Sequence, residues 1–165
     1  MDSDEKHFFE LTCAVQLGDV DVLRQLKRAT DNYSVPKRLL KVAASLDQAD
    51  CVRELLTWCE SASKGAFVRD GLEEAARCGY LNSLQVFKEF IDKDTSGLAW
   101  WKIQRAGLLA AIEAKRMKSI REILSWGTPI DPDLYAAARH FSVNRALPRP
   151  DGPIPEYIPL NEDNA

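Results

Sequence analysis

The residues of this chain that could perform chemistry are few, and their spacing does not favour a catalytic or metal site. The two histidines, His7 and His140, are near opposite ends of the 165-residue chain, whereas a metal or a catalytic triad needs its groups in contact. The adjacent carboxylates Glu73 and Glu74 diverge by about 100° on a helix, so they make a poor acid–base pair. Phosphate-binding, nucleophile-elbow and zinc-protease motifs are absent from the sequence. We expect no catalytic residue, no metal and no cofactor.

The cysteines point to packing rather than to redox or metal chemistry. Cys13, Cys51, Cys59 and Cys78 form no Cys-x-x-Cys pair, and their spacing matches no common zinc pattern. Three of them, all except Cys59, lie within helical patterns, which predicts small core side chains kept reduced inside a cell. A disulfide or a metal site is the alternative interpretation.

Composition and charge indicate a single globular domain. The chain is 45% hydrophobic and 28% charged, with a net charge of −3, so no overall positive field attracts nucleic acid. No apolar run approaches the roughly 20 residues of a membrane span, and the acidic residues 1–6 lack the pattern of a signal peptide. We expect an intracellular monomer, in the cytoplasm or the nucleus, that binds a protein and neither nucleic acid nor membrane.

A repeated helical pattern must position any functional residue. Leu is followed three residues later by Ala in five copies, spaced 29, 32, 36 and 26 residues apart: Leu11/Ala14, Leu40/Ala43, Leu72/Ala75, Leu108/Ala111 and Leu134/Ala137. In the first four copies a second stripe of apolar residues follows at three-residue steps, as in Val20, Leu23 and Leu26. Each copy is therefore predicted to contain two short helices, and the pairs must stack to bury their apolar faces.

These copies resemble the ankyrin repeat family. Residues 75–84 carry the most similar stretch, with an Ala-Ala pair, a Gly turn and a Leu-rich second helix, but the family's opening Thr-Pro and His are missing. The turn Gly is replaced by Asp47, Lys115 and Phe141 in three copies. The resemblance implies an all-α solenoid of four full units and a partial C-terminal capping unit; a general α-hairpin solenoid is the alternative. The units lie near residues 8–28, 38–58, 70–90, 106–126 and 132–146, in a domain of residues 1–147.

The connections between units supply the candidate binding residues. In ankyrin-like arrays the connections and the first helices line a concave face that binds proteins, and by position the resemblance nominates Tyr33, Phe67, Trp100 and Trp101. Trp is enriched at binding hot spots, and adjacent tryptophans point in different directions, although packing of one of them is the alternative. Lys102 and Arg105 would form a basic rim.

Residues 148–165 form a tail that contains five of the eight prolines and cannot be helical. Disorder, folding back along the last helices, and a partner-binding linear motif are the three alternatives for it. The sequence thus predicts a non-catalytic protein-interaction module, an adaptor or a regulatory subunit. The alternatives are a small enzyme or ligand-binding protein that uses a cleft between the repeats and a folded-back tail, and a surviving fragment of a longer array.

Overall fold

The structure, a computed structural model, describes residues 2–27, 34–59 and 64–159. These ranges contain nine α-helices, one short 3₁₀ helix (Asn144–Ala146) and no strand, which confirms the all-α prediction. The helices are α1 (Ser3–Leu17), α2 (Val20–Lys27), α3 (Ser34–Ser45), α4 (Ala49–Leu56), α5 (Lys64–Cys78), α6 (Leu81–Lys93), α7 (Trp100–Glu113), α8 (Met117–Ser125) and α9 (Pro132–His140).

The helices form two layers. In the first layer each odd-numbered helix packs on the next, from α1 through α3, α5 and α7 to α9. In the second layer α2, α4, α6 and α8 pack on one another in the same order. Each of the first four odd-numbered helices also contacts the even-numbered helix that follows it, so the chain is a row of helix pairs. The buried side chains of both layers form one continuous core.

The turn that ends each first-layer helix has the same geometry in all five copies. One residue is left-handed, with φ between 54° and 84°, and the next residue donates its N–H to the carbonyl of an alanine five positions earlier, at 2.8–3.1 Å. The left-handed residues are Gly18, Asp47, Gly79, Lys115 and Ser142. The accepting alanines are Ala14, Ala43, Ala75, Ala111 and Ala138. The repeat in the sequence is therefore a repeat in backbone conformation, even where the turn lacks glycine.

The turn of the fifth copy lies one residue later than its sequence pattern predicts. Phe141 was aligned with the turn glycine, but Ser142 is the left-handed residue and Ala138, rather than Ala137, accepts the hydrogen bond. Three consecutive alanines at 136–138 make the pattern ambiguous by one position. No second α-helix follows α9 in the described residues; Val143 and Leu147 flank the 3₁₀ helix and are buried against the core.

The first four first-layer helices, α1, α3, α5 and α7, start earlier than the predicted units, and this overturns one candidate. Phe67 was placed in a connection as a partner-binding residue, but it lies inside α5 and is only 1% exposed. Phe67, Gly71 and Ala75 follow one another at four-residue steps, which extends the buried face of the helix toward its N-terminus. Phe67 is therefore a core residue, and its prediction as a binding residue is wrong.

Two glycines inside helices allow the central first-layer helices to approach closely. A Cβ at Gly71 would lie 2.7 Å from Cζ of Phe87 and 3.0 Å from the side chain of Leu40. A Cβ at Gly107, the equivalent position of α7, would lie 3.0 Å from Cγ of Leu72. The absence of a side chain at these positions therefore lets α5 pack tightly between α3 and α7.

Candidate functional site

A buried carboxylate organises the connection between α6 and α7. The side chain of Asp94 is 3% exposed and accepts hydrogen bonds from Lys64 Nζ, from Nε1 of Trp100 at 2.8 Å, and from the backbone N–H and hydroxyl of Ser96. The bond from Lys64 is the largest of the effects that hold the pKa of Asp94 well below its ordinary value. Asp94 therefore stays ionised and fixes the start of α7.

The two adjacent tryptophans have different surroundings. Trp100 is partly buried, bonded to Asp94, and packed edge-on against Phe90 with ring centroids 6.2 Å apart. Trp101 is 51% exposed, and the ammonium group of Lys102 lies 5.5 Å from its ring centroid. Trp100 thus contributes to packing, while Trp101 and Lys102 remain accessible to a partner.

Arg105 connects α7 to the start of α9. Its guanidinium group makes two hydrogen bonds to Asp131, one of them from Nη2 to Oδ1 at 3.0 Å. Asp131 also accepts the backbone N–H of Leu134 at 2.8 Å and so caps α9. The Arg105 bonds lower the pKa of Asp131, which keeps this pair charged. Arg105 therefore holds α7 to the start of α9 through Asp131 and is also partly exposed at the surface.

One side of α7 joins the predicted tryptophan site to the tail. Trp101, Arg105, Leu109 and Glu113 follow one another at four-residue steps and therefore lie along one side of the helix. Sequence reasoning nominated the first part of this stripe but missed Leu109 and Glu113. Their four-residue spacing was the available signal.

The described part of the tail folds back onto the last two first-layer helices. The hydroxyl group of Tyr157 donates to Oε1 of Glu113 at 3.3 Å. Its ring lies 5.1 Å from that of His140 and 5.7 Å from that of Phe141, measured between centroids. Burial and the nearby Glu113 raise the pKa of Tyr157. Of the three alternatives for the tail, the structure shows folding back, for residues up to 159.

The tail leaves a cleft on each of its sides. A cleft of about 700 Å³ lies between α7, α9 and the tail, and its lining includes Arg105, Leu109, Glu113 and Asp133. A second cleft, of about 540 Å³, lies between the tail and α9, and its lining includes Arg139 and His140. Glu156 and Tyr157 line both clefts.

Equivalent positions continue this surface along the first layer. Arg105, Leu109 and Glu113 lie ten, six and two residues before the left-handed residue of their copy. We define the first-layer face as these three positions of every copy; on α5 they are Arg69, Glu73 and Arg77, and on α3 they are Lys37, Lys41 and Ser45. Contacts near its first position connect neighbouring helices: Arg38 lies 4.3 Å from the ring centroid of Phe8, and Lys37 pairs with Asp70 at 3.0 Å.

The other sequence candidates add no cluster to this face. Tyr33 lies outside the described residues. All four cysteines are free thiols, and burial raises the pKa of Cys59 to about 12. Within ranges 2–27, 34–59 and 64–159, no three His, Cys, Asp or Glu side chains are grouped as a metal site would need. The helices of these same ranges are too short or too polar to cross a membrane.

Comparison of the chain with protein-family models, with curated proteins and with solved structures finds no match. The resemblance to ankyrin repeats therefore stays a prediction from the sequence.

Proposed function

We propose that this chain is a helical repeat protein of the ankyrin type that acts as a non-catalytic protein-interaction module, an adaptor or a regulatory subunit. The stacking of helix pairs in one direction and the left-handed turn of every copy support the repeat assignment. The module would present the first-layer face, with the start of α7 beside it, to a partner protein.

The observation that carries this proposal is the exposure of Trp101 on a rigid support. Trp100, its neighbour in the chain, is held by Asp94 and Phe90, so the start of α7 is fixed before any partner arrives. An exposed tryptophan on a fixed helix loses little conformational freedom on binding and gains a large apolar contact. Lys102 beside it would attract acidic groups of the partner.

A second candidate function is the binding of a small molecule, with or without a reaction, in the cleft between α7, α9 and the tail. Its volume of about 700 Å³ is within the range of small-molecule sites. Arg105, Glu113 and Asp133 supply polar groups of both charges along its walls. A thermal-shift screen with the wild type and with Leu109→Trp, which would fill the cleft, tests this function. A ligand that stabilises only the wild type supports it.

The interaction function is tested by affinity capture and mass spectrometry with the full chain. The test variant is Trp101→Ala/Lys102→Ala, and the matched control, Val22→Ala/Lys118→Ala, removes an exposed apolar residue and a lysine from the second layer. Trp100 stays intact because its loss would break the Asp94 network. A partner that the test variant loses and the control keeps supports the proposal. Identical partner sets for all three proteins reject Trp101 as the anchor.

A further inference from the structure

The first-layer face already holds one extended segment, the chain's own tail, which indicates what the rest of the face can bind. From this we infer that the face of α3, α5 and α7 binds an extended acidic segment of a partner protein, laid across the helices as the tail is laid across α9 and α7. The inference depends on the proposed function and names the chemistry of the partner.

The tail crosses the helices in the direction in which they stack. Ile154 and Pro155 line the cleft on α9, whereas Tyr157 reaches Glu113 on α7. The next helix in this direction is α5. Residues 148–159 contain no helix or strand, so their backbone groups remain available for contacts, as they would in a bound peptide. The described chain ends at residue 159, with the faces of α5 and α3 still uncovered by it.

Charge distinguishes this surface from the rest of the chain. Of the nine positions of the first-layer face on α3, α5 and α7, five are basic and two are acidic, in a chain whose net charge is −3. The tail sequence is opposite in sign, since residues 148–165 contain one basic and four acidic residues. An acidic segment is therefore attracted to these three helices and would be repelled by a surface with the average charge of the chain.

Exposed side chains on α3 and α5 can receive the carboxylates of such a segment. Lys41 is exposed and has no ion pair among the described residues. Arg69 is exposed, and its one ion pair within the described ranges is with Glu73 of its own helix, at 2.7 Å. In the tail, Glu156 lines the α7 cleft together with Arg105, the residue of α7 that is equivalent to Arg69. Arg69 would therefore face a partner carboxylate on α5, and Lys41 would supply a further cation on α3.

Leu46, at the end of α3, can receive an aromatic side chain of the partner. Phe141, the residue before the left-handed Ser142, is in ring contact with Tyr157. Leu46 is the corresponding residue of the second copy and is 45% exposed, whereas the corresponding residues of α5 and α7, Cys78 and Ala114, are half-buried. The segment that fits the face therefore combines carboxylates with an aromatic or large apolar residue, as Glu156 and Tyr157 do.

The distance that such a segment must cover is short. Adjacent packed helices lie about 8–10 Å apart, so α7 and α3 are about 20 Å apart. An extended chain covers this distance with about six residues. A short linear segment is therefore long enough to contact all three helices.

The test measures fluorescence anisotropy with a labelled synthetic peptide of residues 150–165 as the probe. The full-length Tyr157→Ala variant removes the contacts of the tail with Glu113, His140 and Phe141. It should therefore bind the peptide more tightly than the wild type. In that background, Lys41→Glu/Arg69→Glu should weaken binding by about tenfold. The control, Lys118→Glu/Arg121→Glu on α8, makes the same change in net charge and should stay within about twofold. A peptide with lysine in place of its acidic residues should not bind. Glu156→Lys provides a second way to weaken the tail contact if Tyr157→Ala is not folded by circular dichroism.

Several results would overturn the inference. These are no binding to either tail variant, an equal loss in the α3/α5 variant and the α8 control, or self-association of Tyr157→Ala, which would make a second copy the occupant. If the peptide fails while capture still depends on Trp101, only the acidic partner is rejected. If both experiments fail, the interaction function is rejected as well.

Discussion

A pair of glycine substitutions tests whether the left-handed turn is the structural unit of this repeat. Lys115 is left-handed with φ of 55°, and its side chain is exposed. A non-glycine residue in this conformation carries roughly 1–2 kcal/mol of strain, whereas glycine favours the unfolded chain by about 0.4–1 kcal/mol. Lys115→Gly should therefore raise the free energy of unfolding by about 0.5–1 kcal/mol.

Substitution of Asp47 by glycine should change the free energy of unfolding in the opposite direction, although the φ of Asp47, 54°, is nearly the same as that of Lys115. Its carboxylate accepts the backbone N–H of Ser83 at 3.0 Å, the hydroxyl of Ser83 at 2.8 Å and Nδ2 of Asn82 at 3.0 Å. Asp47 thus joins the second turn to the start of α6. At about 0.5–1.5 kcal/mol for each hydrogen bond, the loss exceeds the strain that glycine relieves. Asp47→Gly should lower stability by about 1–2 kcal/mol.

Urea unfolding followed by circular dichroism at 222 nm measures both effects, and Lys115→Ala separates the strain from the removed side chain. That control keeps the strain and should stay within about 0.5 kcal/mol of the wild type. In thermal unfolding a change of 1 kcal/mol shifts Tm by about 2–4 °C for a chain of this size. The reasoning is refuted if Lys115→Gly is no more stable than Lys115→Ala, or if Asp47→Gly is stabilised.

Three further predictions concern buried and exposed groups. Asp94→Asn leaves the Lys64 ammonium without its counter-charge and should lower stability at pH 7 by about 2–3 kcal/mol. Because the folded-state pKa of Asp94 is lowered, its contribution is complete above about pH 5 and declines below about pH 3.9. Urea unfolding should thus show a smaller difference at pH 3, and an equal difference would contradict the ion pair. In thermal unfolding, Trp100→Ala should cost about 3 kcal/mol and Trp101→Ala less than about 1; equal losses would argue against the assigned exposures. Burial raises the pKa of the Cys59 thiol to about 12, so iodoacetamide should label Cys59 more slowly in the native protein than in the urea-unfolded protein, and equal rates would contradict its burial.

The sequence predicted the parts of the fold that are governed by helical periodicity. The Leu stripe at positions 11, 40, 72, 108 and 134 is buried, because residues spaced to share a helical face must find one core. Helix starts were less predictable. The segment that contains Phe67 was interpreted as a connection, since the repeat was recognised from its Leu and Ala positions alone and the α5 helix extends beyond them. In copy five, consecutive alanines left the register open by one residue.

Only part of the candidate site could be predicted, because the site depends on contacts between residues that are not spaced at a regular interval in the sequence. Trp100 and Trp101 were recognised from their type, but only the bond to Asp94 shows which of them is fixed. The composition of the tail fitted disorder as well as folding back. The tail folds back because Tyr157 contacts Glu113 on α7 and His140 and Phe141 at the end of α9, and sequence spacing does not reveal these contacts.

The spacing of the copies explains why the exposed tryptophan is at this place. The left-handed turn residues of successive copies are farthest apart between Gly79 and Lys115, and this longest interval contains the connection organised by Asp94. Residues within the helix pairs must satisfy the stacking on both sides, so their apolar positions are used by the core. A longer connection carries no such constraint, and one buried carboxylate suffices to hold it. Trp101, the second residue of α7, directly follows this connection and is 51% exposed, whereas a tryptophan at Phe67 or Gly107 would have to be accommodated inside the stack.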